Sequence, residues 1–328
     1  MSWEEDSFAP FFRNRQIFFV SEDYCTLLTS PDGVTVESQV QQCLSSSQEE
    51  ADGQIILHCF FAAQTCDEIL VKSPDTDVFL LLLHFAKQIQ KPLYFETGYG
   101  VHHKIINMTA LSDKRELERD AILGFHAFTG CDTTSAFLRR GKVKPLNLMR
   151  KNQLYRDIFE TLGTKATVDP HVFSELEKFV CSMYGKHKYT DVNKLRCDMV
   201  NQRFCPGSSG ALVTNFDGVD LSLIPPCRSV LRMHIKRVNY QVLLWKKSFM
   251  PHPNLPPPEA HGWKQSDEDG QLEFDWCEGS IMPNELVDIA SSEQTEDQDD
   301  EVETTEDDIS ESLFDELYQS EESDDDDN

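Results

Sequence analysis

Five acidic residues stand in three closely spaced groups in the first half of the chain. Glu50 and Asp52 form the first group, Asp75 and Asp77 the second, and Asp132 follows a Gly-Cys pair. Carboxylates that converge cannot all stay ionised unless a cation lies among them. Hard divalent ions such as Mg²⁺ or Mn²⁺ prefer oxygen-only ligands and are the expected occupants. Two such ions about 4 Å apart would activate water and stabilise the leaving oxygen of a phosphodiester.

A basic run follows Asp132 within twenty residues. Its six members are Arg139, Arg140, Lys142, Lys144, Arg150 and Lys151. Closely spaced cations suit contacts with phosphates, which position a nucleic acid without reading its bases. A solvated surface face explains the same residues equally well. If the first explanation holds, the sequence predicts a metal site that faces a polyanion.

Each acid also has a structural explanation. Ser47 and Glu50 have the spacing of a capping box, and acids in a first helical turn favour the helix dipole. Asp77 is equally explained as the N-cap of the helix that follows, and Asp75 as a turn residue after proline. Asp132 is equally explained as a cap of the next short helix. The joint order Glu-x-Asp, Asp-x-Asp and Gly-Cys-Asp is what favours a site.

Strand and helix patterns alternate around the first two groups. Apolar and polar residues alternate on either side of a Pro-Asp-Gly turn at residues 31–33, which predicts two strands joined by that turn. This order of elements predicts a parallel α/β sheet, whose strands bind ligands beyond their carboxyl ends. The remaining predictions are helices from Gln48 to about Ala63 and from Asp77 to Gln90, and strands at Glu68–Ser73 and Pro92–Gly98.

Helices predominate in the second half of the chain. One is predicted from about Ser112 to Phe125. Another begins at Asp169, before a proline, and ends at Gly185. A long helix from about Arg228 to Lys247 is expected to turn its apolar residues inward and its basic residues, Arg237 among them, mostly elsewhere.

The composition is that of a folded protein with a strongly acidic C-terminal segment. The chain has 328 residues, 39% of them hydrophobic, which is enough for a substantial core. Nineteen acidic residues and no Lys or Arg lie between Glu293 and Asn328, so −8 of the formal net charge of −27 belongs to the first 292 residues. The Ser/Thr-containing acidic tail is therefore expected to be disordered.

Cysteines and hydropathy restrict the compartment. The ten cysteines include no Cys-x-x-Cys pair, which argues against a zinc ribbon or finger. The acidic first twenty residues do not match a signal peptide, and the apolar run Val78–Ala86 is too short to span a bilayer. We expect reduced thiols, no membrane association, and a nuclear or cytoplasmic location with the nucleus favoured.

Three motifs resemble a known family of nucleases. EEADGQIIL, VKSPDTDVFLLL and FTGCDTTSAF resemble the later half of the XPG/flap-endonuclease branch of PIN-like nucleases. In that family a Glu-Ala-acid helix, a Ser-x-Asp-x-Asp strand end and a Leu-Gly-Cys-Asp turn supply metal ligands in this order. The chain is more similar still to uncharacterised animal proteins, often linked to mobile elements. That similarity runs from about Arg15 to Pro283 and includes IPPCRSVLRMHIKRVNYQVLLWKKS and the Gly262-Trp263 segment.

The resemblance implies a fold, an activity and a role for each acid. It implies a parallel-sheet PIN-like core, N-terminally truncated, with a helical C-terminal extension. It places Glu50, Asp52, Asp75, Asp77 and Asp132 at metal-ligand positions for Mg²⁺ or Mn²⁺, the last three as catalytic carboxylates. It also places the basic run on the backbone of DNA or RNA and implies no small-molecule cofactor.

Five segments follow from these patterns and from the resemblance. They are an N-terminal hairpin region (1–47), a PIN-like core with a basic hairpin (48–165), a helical extension (166–250), a proline-rich linker with the Gly-Trp segment (251–290) and a disordered acidic tail (291–328).

The chain also departs from the family pattern. Too little sequence precedes Glu50 for the first strand and its essential aspartate, and Gly53-Gln54 replaces the usual Thr-Arg. An acidic tail stands where the more similar proteins carry a cysteine-rich module. Two hypotheses remain: a mobile-element-derived, metal-dependent nuclease, or a catalytically inactive remnant that binds nucleic acid or protein.

The acidic tail suggests a function of a second kind. Leu313, Phe314, Leu317 and Tyr318 lie within dense acid. Such a segment can fold as an amphipathic helix in a partner's groove, bind a basic protein, or fold back on the basic run. A tail that only aids solubility is the alternative. A fold-back held by charge should open as the ionic strength rises.

Overall fold

The structure is a computed structural model that describes residues 6–21, 24–204, 223–266, 270–277, 313–314 and 316–318. These residues form two compact units. The first unit draws on Met1–Arg115 and Leu244–Leu255, and the second on Glu116–Leu243 and Pro256–Asn328. Among the described residues, no helix is both long enough and apolar enough to cross a bilayer.

The first unit begins with an antiparallel sheet. A 3₁₀ turn (Asp6–Phe8) and helix α1 (Ala9–Phe12) precede it. The expected strand pair around residues 31–33 is confirmed, because Tyr24–Thr29 pairs in the antiparallel sense with Glu37–Val40. In the turn between them, Asp32 accepts hydrogen bonds from the N–H groups of Val34 and Thr35, and Gly33 has φ 71°. These backbone hydrogen bonds hold the pKa of Asp32 far below its usual range. The strands, in sheet order, are β1 (Ile17–Ser21), β2 (Tyr24–Thr29) and β3 (Glu37–Val40).

A second, mixed sheet follows in the same unit. The expected α/β class is confirmed, with β4 parallel to β5. The third strand, β6, was not predicted and pairs with β5 in the antiparallel sense. The elements are β4 (Ile69–Lys72), β5 (Leu93–Thr97), β6 (Lys104–Asn107), a 3₁₀ turn (Gly100–His102) and the helices α2 (Ala51–Ala62), α3 (Thr76–Ile89) and α4 (Met108–Lys114).

Helix α3 forms the core of the first unit. Every side chain from Val78 to Ala86 is buried, as expected for a helix that is apolar on all sides. Its Phe79 ring lies 5.6 Å from the ring of Phe95 on β5, and Phe85 lies 5.8 Å from Phe60 on α2. This packing holds α3 against β5 and α2.

The second unit is mainly helical. The expected helix from Ser112 to Phe125 is wrong, because Arg115 leaves the helical conformation with φ −101° and ψ 26°. No glycine or proline marks that break in the sequence. The helices are α5 (Glu116–Arg119), α6 (Ile122–Thr129), α7 (Val143–Arg150), α8 (Gln153–Thr161), α9 (Pro170–Met183), α10 (Val192–Phe204) and α11 (Arg228–Lys246), whose last turn belongs to the first unit.

Local signals set the ends of α9 as the sequence predicts. The Asp169 carboxylate accepts a hydrogen bond from the N–H of His171, and Pro170 occupies the first helical position. Gly185, with φ 74°, follows the last turn. Glycine adopts this left-handed conformation without the steric cost that other residues have.

Helix α11 is buried on the expected apolar face, yet one basic residue is buried with it. The side chain of Arg237 is fully buried, so its expected exposure was wrong. Its Nη1 donates to the carbonyls of Gly262 at 3.0 Å and Asp275 at 2.8 Å, and its guanidinium lies 4.7 Å from the centre of the Phe274 ring. The buried apolar residues are Leu231, Ile235, Val238, Val242 and Trp245.

The expected extended linker contains regular structure. A 3₁₀ turn (Pro258–His261) leads into a hairpin of β7 (Trp263–Gln265) and β8 (Leu272–Phe274). Gly262 is needed at the join, since a Cβ there would lie 2.8 Å from Arg237 Cγ and from the Met233 carbonyl oxygen. The buried arginine therefore holds the Gly-Trp segment in place.

Part of the acidic tail is folded. Residues 313–314 and 316–318 are helical, and Leu313 and Leu317 are fully buried. The prediction of a disordered tail is wrong for these five residues, because their apolar side chains are buried and Glu316 is ion-paired. The rest of 291–328 lies outside the described residues.

Candidate metal centre and basic cavity

The segment before α2 is held by contacts far along the chain. Gln48 Nε2 donates to the carbonyls of Ser248 at 2.9 Å and Met250 at 2.6 Å, and the Ser47 N–H donates to the carbonyl of Pro251. The expected capping box is therefore wrong, since Ser47 does not begin the helix. Helix α2 begins at Ala51, and its N-cap Glu50 makes no capping hydrogen bond with its side chain.

Gly53 and Gln54 complete this anchor. A Cβ on Gly53 would lie 2.1 Å from Gln48 Oε1, and Gln54 Nε2 donates to the Gln48 carbonyl at 2.8 Å. A glycine inside a helix costs about 1 kcal/mol relative to alanine. The close approach of Gln48 explains why that cost is accepted in the first turn of α2, and it accounts for the Gly-Gln pair in this motif.

Two aspartates lie directly after the carboxyl end of β4. The Asp75 carboxylate accepts a hydrogen bond from the Asp77 N–H at 2.8 Å and is the N-cap of α3. The Asp75 N–H in turn donates to Ser73 Oγ at 3.1 Å. The explanation of Asp77 as an N-cap is wrong, because Asp77 lies within the first turn of α3 and Asp75 takes the capping position.

Asp52 joins this pair to form a carboxylate cluster. One oxygen from each of Asp52, Asp75 and Asp77 lies within 4.8 Å of the other two, and all three residues are half-buried. At this separation two unit charges repel by about 3 kcal/mol at an effective dielectric constant of 20. The amino ends of α2 and α3 offset part of this repulsion. A cation bound among the three carboxylates would also offset it.

The spacing suits a single hard cation. Two oxygens on one ion cannot be farther apart than twice the metal–oxygen distance, which is about 4.2 Å for Mg²⁺ and about 5 Å for Ca²⁺. The three oxygens lie within 4.8 Å of one another, which fits the limit for Ca²⁺, and a Mg²⁺ ion would hold them within about 4.2 Å. Oxygen-only ligands select hard divalent ions over zinc or copper.

Two of the five predicted ligands are not members of the cluster. Glu50 is the N-cap residue immediately before α2, in the same unit as the three aspartates. Asp132 belongs to the second unit and is exposed on a turn. The structure thus brings together Asp52, Asp75 and Asp77, which come from two helices and one strand end.

The turn that carries Asp132 has its own structural logic. Cys131 and Thr134 exchange backbone hydrogen bonds of 3.3 and 3.0 Å across it, and Thr134 Oγ1 donates to the Ala127 carbonyl at 2.6 Å. Gly130 has φ 115°, and a Cβ there would lie 2.7 Å from the Cβ of Ala136. Much of the Gly-Cys-Asp-Thr-Thr motif is therefore explained by the turn itself.

The basic run contains one buried member, two half-buried arginines (Arg140 and Arg150) and three exposed members. Lys142 is 1% exposed, and its Nζ lies 2.7 Å from His126 Nδ1 and 2.5 Å from the Gly130 carbonyl oxygen. Arg140 lies over the ring of Tyr184 at 3.9 Å. These two cations therefore make contacts within the second unit. The exposed members are Arg139, Lys144 and Lys151.

The exposed cations line a cavity of about 790 Å³ in the second unit. Its other wall comes from the end of α9 and the residues that follow it, and includes Ser182, Gly185 and His187. Sequence reasoning missed this wall, although the Lys-His-Lys stretch at residues 186–188 signals it. A concave surface with several cations on it is suited to phosphate groups.

Comparison with protein-family models, with curated proteins and with solved structures gave no match to this chain. What the cluster and the cavity bind therefore has to follow from their own chemistry. That chemistry consists of three convergent carboxylates in one unit and a cation-lined cavity in the other.

Proposed function

We propose that this protein binds Mg²⁺ or Mn²⁺ through Asp52, Asp75 and Asp77 and hydrolyses phosphodiester bonds of DNA or RNA. The observation that carries the proposal is the convergence of three half-buried aspartates after the end of a parallel strand. The order of the three acidic motifs and the α/β class support a PIN-like core. A divalent ion held there would acidify bound water and polarise a phosphoryl oxygen.

The three aspartates would hold the ion from two rigid helices. Asp75 is fixed by its hydrogen bond to the Asp77 N–H, so its carboxylate keeps one orientation. Asp52 is positioned by α2, and the segment that leads into α2 is held by the contacts of Gln48 with Ser248 and Met250. Metal ligands on helices that pack into the core are positioned more accurately than metal ligands on loops.

The nucleic acid would be held by phosphate contacts from the second unit. Arg139, Lys144 and Lys151 line the basic cavity and are exposed. Contacts of this kind bind DNA and RNA alike and weaken steeply as salt is raised. Asp132 remains a predicted third catalytic carboxylate. An Asp132→Asn variant with normal cleavage would remove it from the mechanism.

Cleavage of a labelled oligonucleotide tests the activity. We expect Mn²⁺-dependent cleavage of single-stranded or flap DNA by the full chain, reduced at least about 100-fold by Asp75→Asn/Asp77→Asn because the ion is lost. The control variant Asp67→Asn/Asp113→Asn also removes two negative charges, but from exposed positions of the first unit, and it should cleave normally. Equal rates in the two double variants would contradict the proposal.

A non-catalytic nucleic-acid-binding function is the second candidate. It is favoured by the basic cavity, which lies in the second unit and contains none of the three clustered aspartates. Oligonucleotide binding that needs no divalent ion, with no cleavage by the wild type, is the result that would select it.

A further inference from the structure

The folded part of the acidic tail is docked on the second unit. Leu313 and Leu317, four residues apart on one helical face, are both fully buried. The rings of Phe314 and Tyr318 stack at 6.1 Å on the neighbouring face. Isolated helices of so few residues are not stable in water. Order in this turn therefore depends on the surface that buries its leucines.

An ion pair attaches this turn to the basic run. Glu316 Oε1 lies 2.9 Å from Arg150 Nη1, in the last turn of α7. The Nε of the same guanidinium lies 2.9 Å from Glu118 Oε2 in an ion pair. Arg150 is 18% exposed, so this pair is less screened by solvent than a surface pair. The tail thus uses a cation that the sequence assigns to phosphate contacts.

The attachment point lies beside the basic cavity. Helix α7 carries Arg150 at its end and lines the cavity with Lys144, Asn147 and Leu148, and Lys151 is the next residue. Six of the ten residues after Tyr318 are acidic. Ten residues span at most about 35 Å, so docking at Arg150 keeps these acids within reach of the cavity.

We propose that the docked tail is an intramolecular competitor for polyanions at the basic cavity. Leu313, Glu316 and Leu317 provide the anchor, through two buried leucines and the Glu316–Arg150 pair. The acids that follow then raise the local concentration of negative charge at Arg139, Lys144 and Lys151. This inference rests on the nucleic-acid-binding part of the proposed function and not on the metal site.

The test compares the wild-type full-length chain with a variant in the anchor and with a matched control variant. Leu313→Ala/Leu317→Ala removes the apolar contact without changing charge, and Leu117→Ala/Leu154→Ala is its control at exposed leucines of the same unit. The probe is a fluorescent 20-nucleotide single-stranded DNA, and binding is measured by anisotropy at low and moderate salt without divalent ions. Hydrogen exchange at residues 313–318 reports docking independently.

We expect the anchor variant to bind the probe at least about tenfold tighter than the wild type at low salt and to lose protection at 313–318. The difference should shrink as salt rises, because both the fold-back and the phosphate contacts are screened. Equal affinities with protection lost would overturn the competition while leaving nucleic-acid binding intact. Fast exchange at 313–318 in the wild type would overturn the docking. No binding by either chain would overturn both the competition and the nucleic-acid proposal, and would leave metal binding to be judged separately.

Discussion

Asp75 has two roles, and a substitution that exchanges one carboxylate oxygen for nitrogen separates them. Its carboxylate caps α3 by accepting the Asp77 N–H, and it also contributes an oxygen to the cluster. Asparagine caps helices about as well as aspartate but carries no charge. Asp75→Asn therefore removes metal affinity while the start of α3 stays intact, which is why asparagine variants are the ones to use at this site.

His234 should make the second unit sensitive to acid. Burial lowers the pKa of His234 to about 4, and its Nε2 lies 2.9 Å from the Phe128 carbonyl oxygen between the rings of Phe128 and Phe137. The unfolded chain binds the proton near pH 6.5, so the folded state loses stability as pH falls from about 6.5 towards 4, by up to about 3 kcal/mol. Urea unfolding at several pH values measures this loss.

A substitution at His234 separates its effect on stability from that of carboxylates that titrate over the same pH range. His234→Gln should flatten the dependence of unfolding free energy on pH between 6.5 and 4.5. His171→Gln, at a side chain that is 64% exposed, is the matched control for the substitution. Identical slopes for wild type and His234→Gln would show that His234 is not buried as the structure describes.

At the scale of elements, the turn after α6 depends on one glycine. Gly130→Ala places a Cβ 2.7 Å from Ala136 Cβ at φ 115°, and we expect a loss of more than about 3 kcal/mol from strain and overlap together. Gly141→Ala meets nothing within 4 Å at φ 49° and should cost about 1 kcal/mol. Urea unfolding compares the two, and equal losses would contradict the close contact at Gly130.

Elements with strong local signals were predicted well. Helix α9 begins at Asp169-Pro170 and ends before Gly185 because caps and φ preferences act within a few residues. The break at Arg115 was missed because no local signal marks it. The start of α2 was missed because contacts with residues distant in the sequence set it. Gln48 meets residues 248–251 only in the folded chain.

At the scale of the whole molecule, buried polar residues show what sequence patterns cannot supply. Lys142 and Arg237 look like surface cations in the sequence, yet each is buried and donates hydrogen bonds to backbone carbonyls. Their partners lie 12 to 38 residues away along the chain. The clustered aspartates were predictable because β4 and α3 bring Asp75 and Asp77 together locally, and the acidic motif before them pointed to Asp52.

Calorimetric titration of the full chain with Mn²⁺ tests the central claim most directly. We expect one site of micromolar affinity that Asp75→Asn/Asp77→Asn abolishes and Asp67→Asn/Asp113→Asn preserves, because only the first pair removes two carboxylates of the cluster. No binding, or binding unchanged in Asp75→Asn/Asp77→Asn, would contradict the metal centre and with it the proposed hydrolysis.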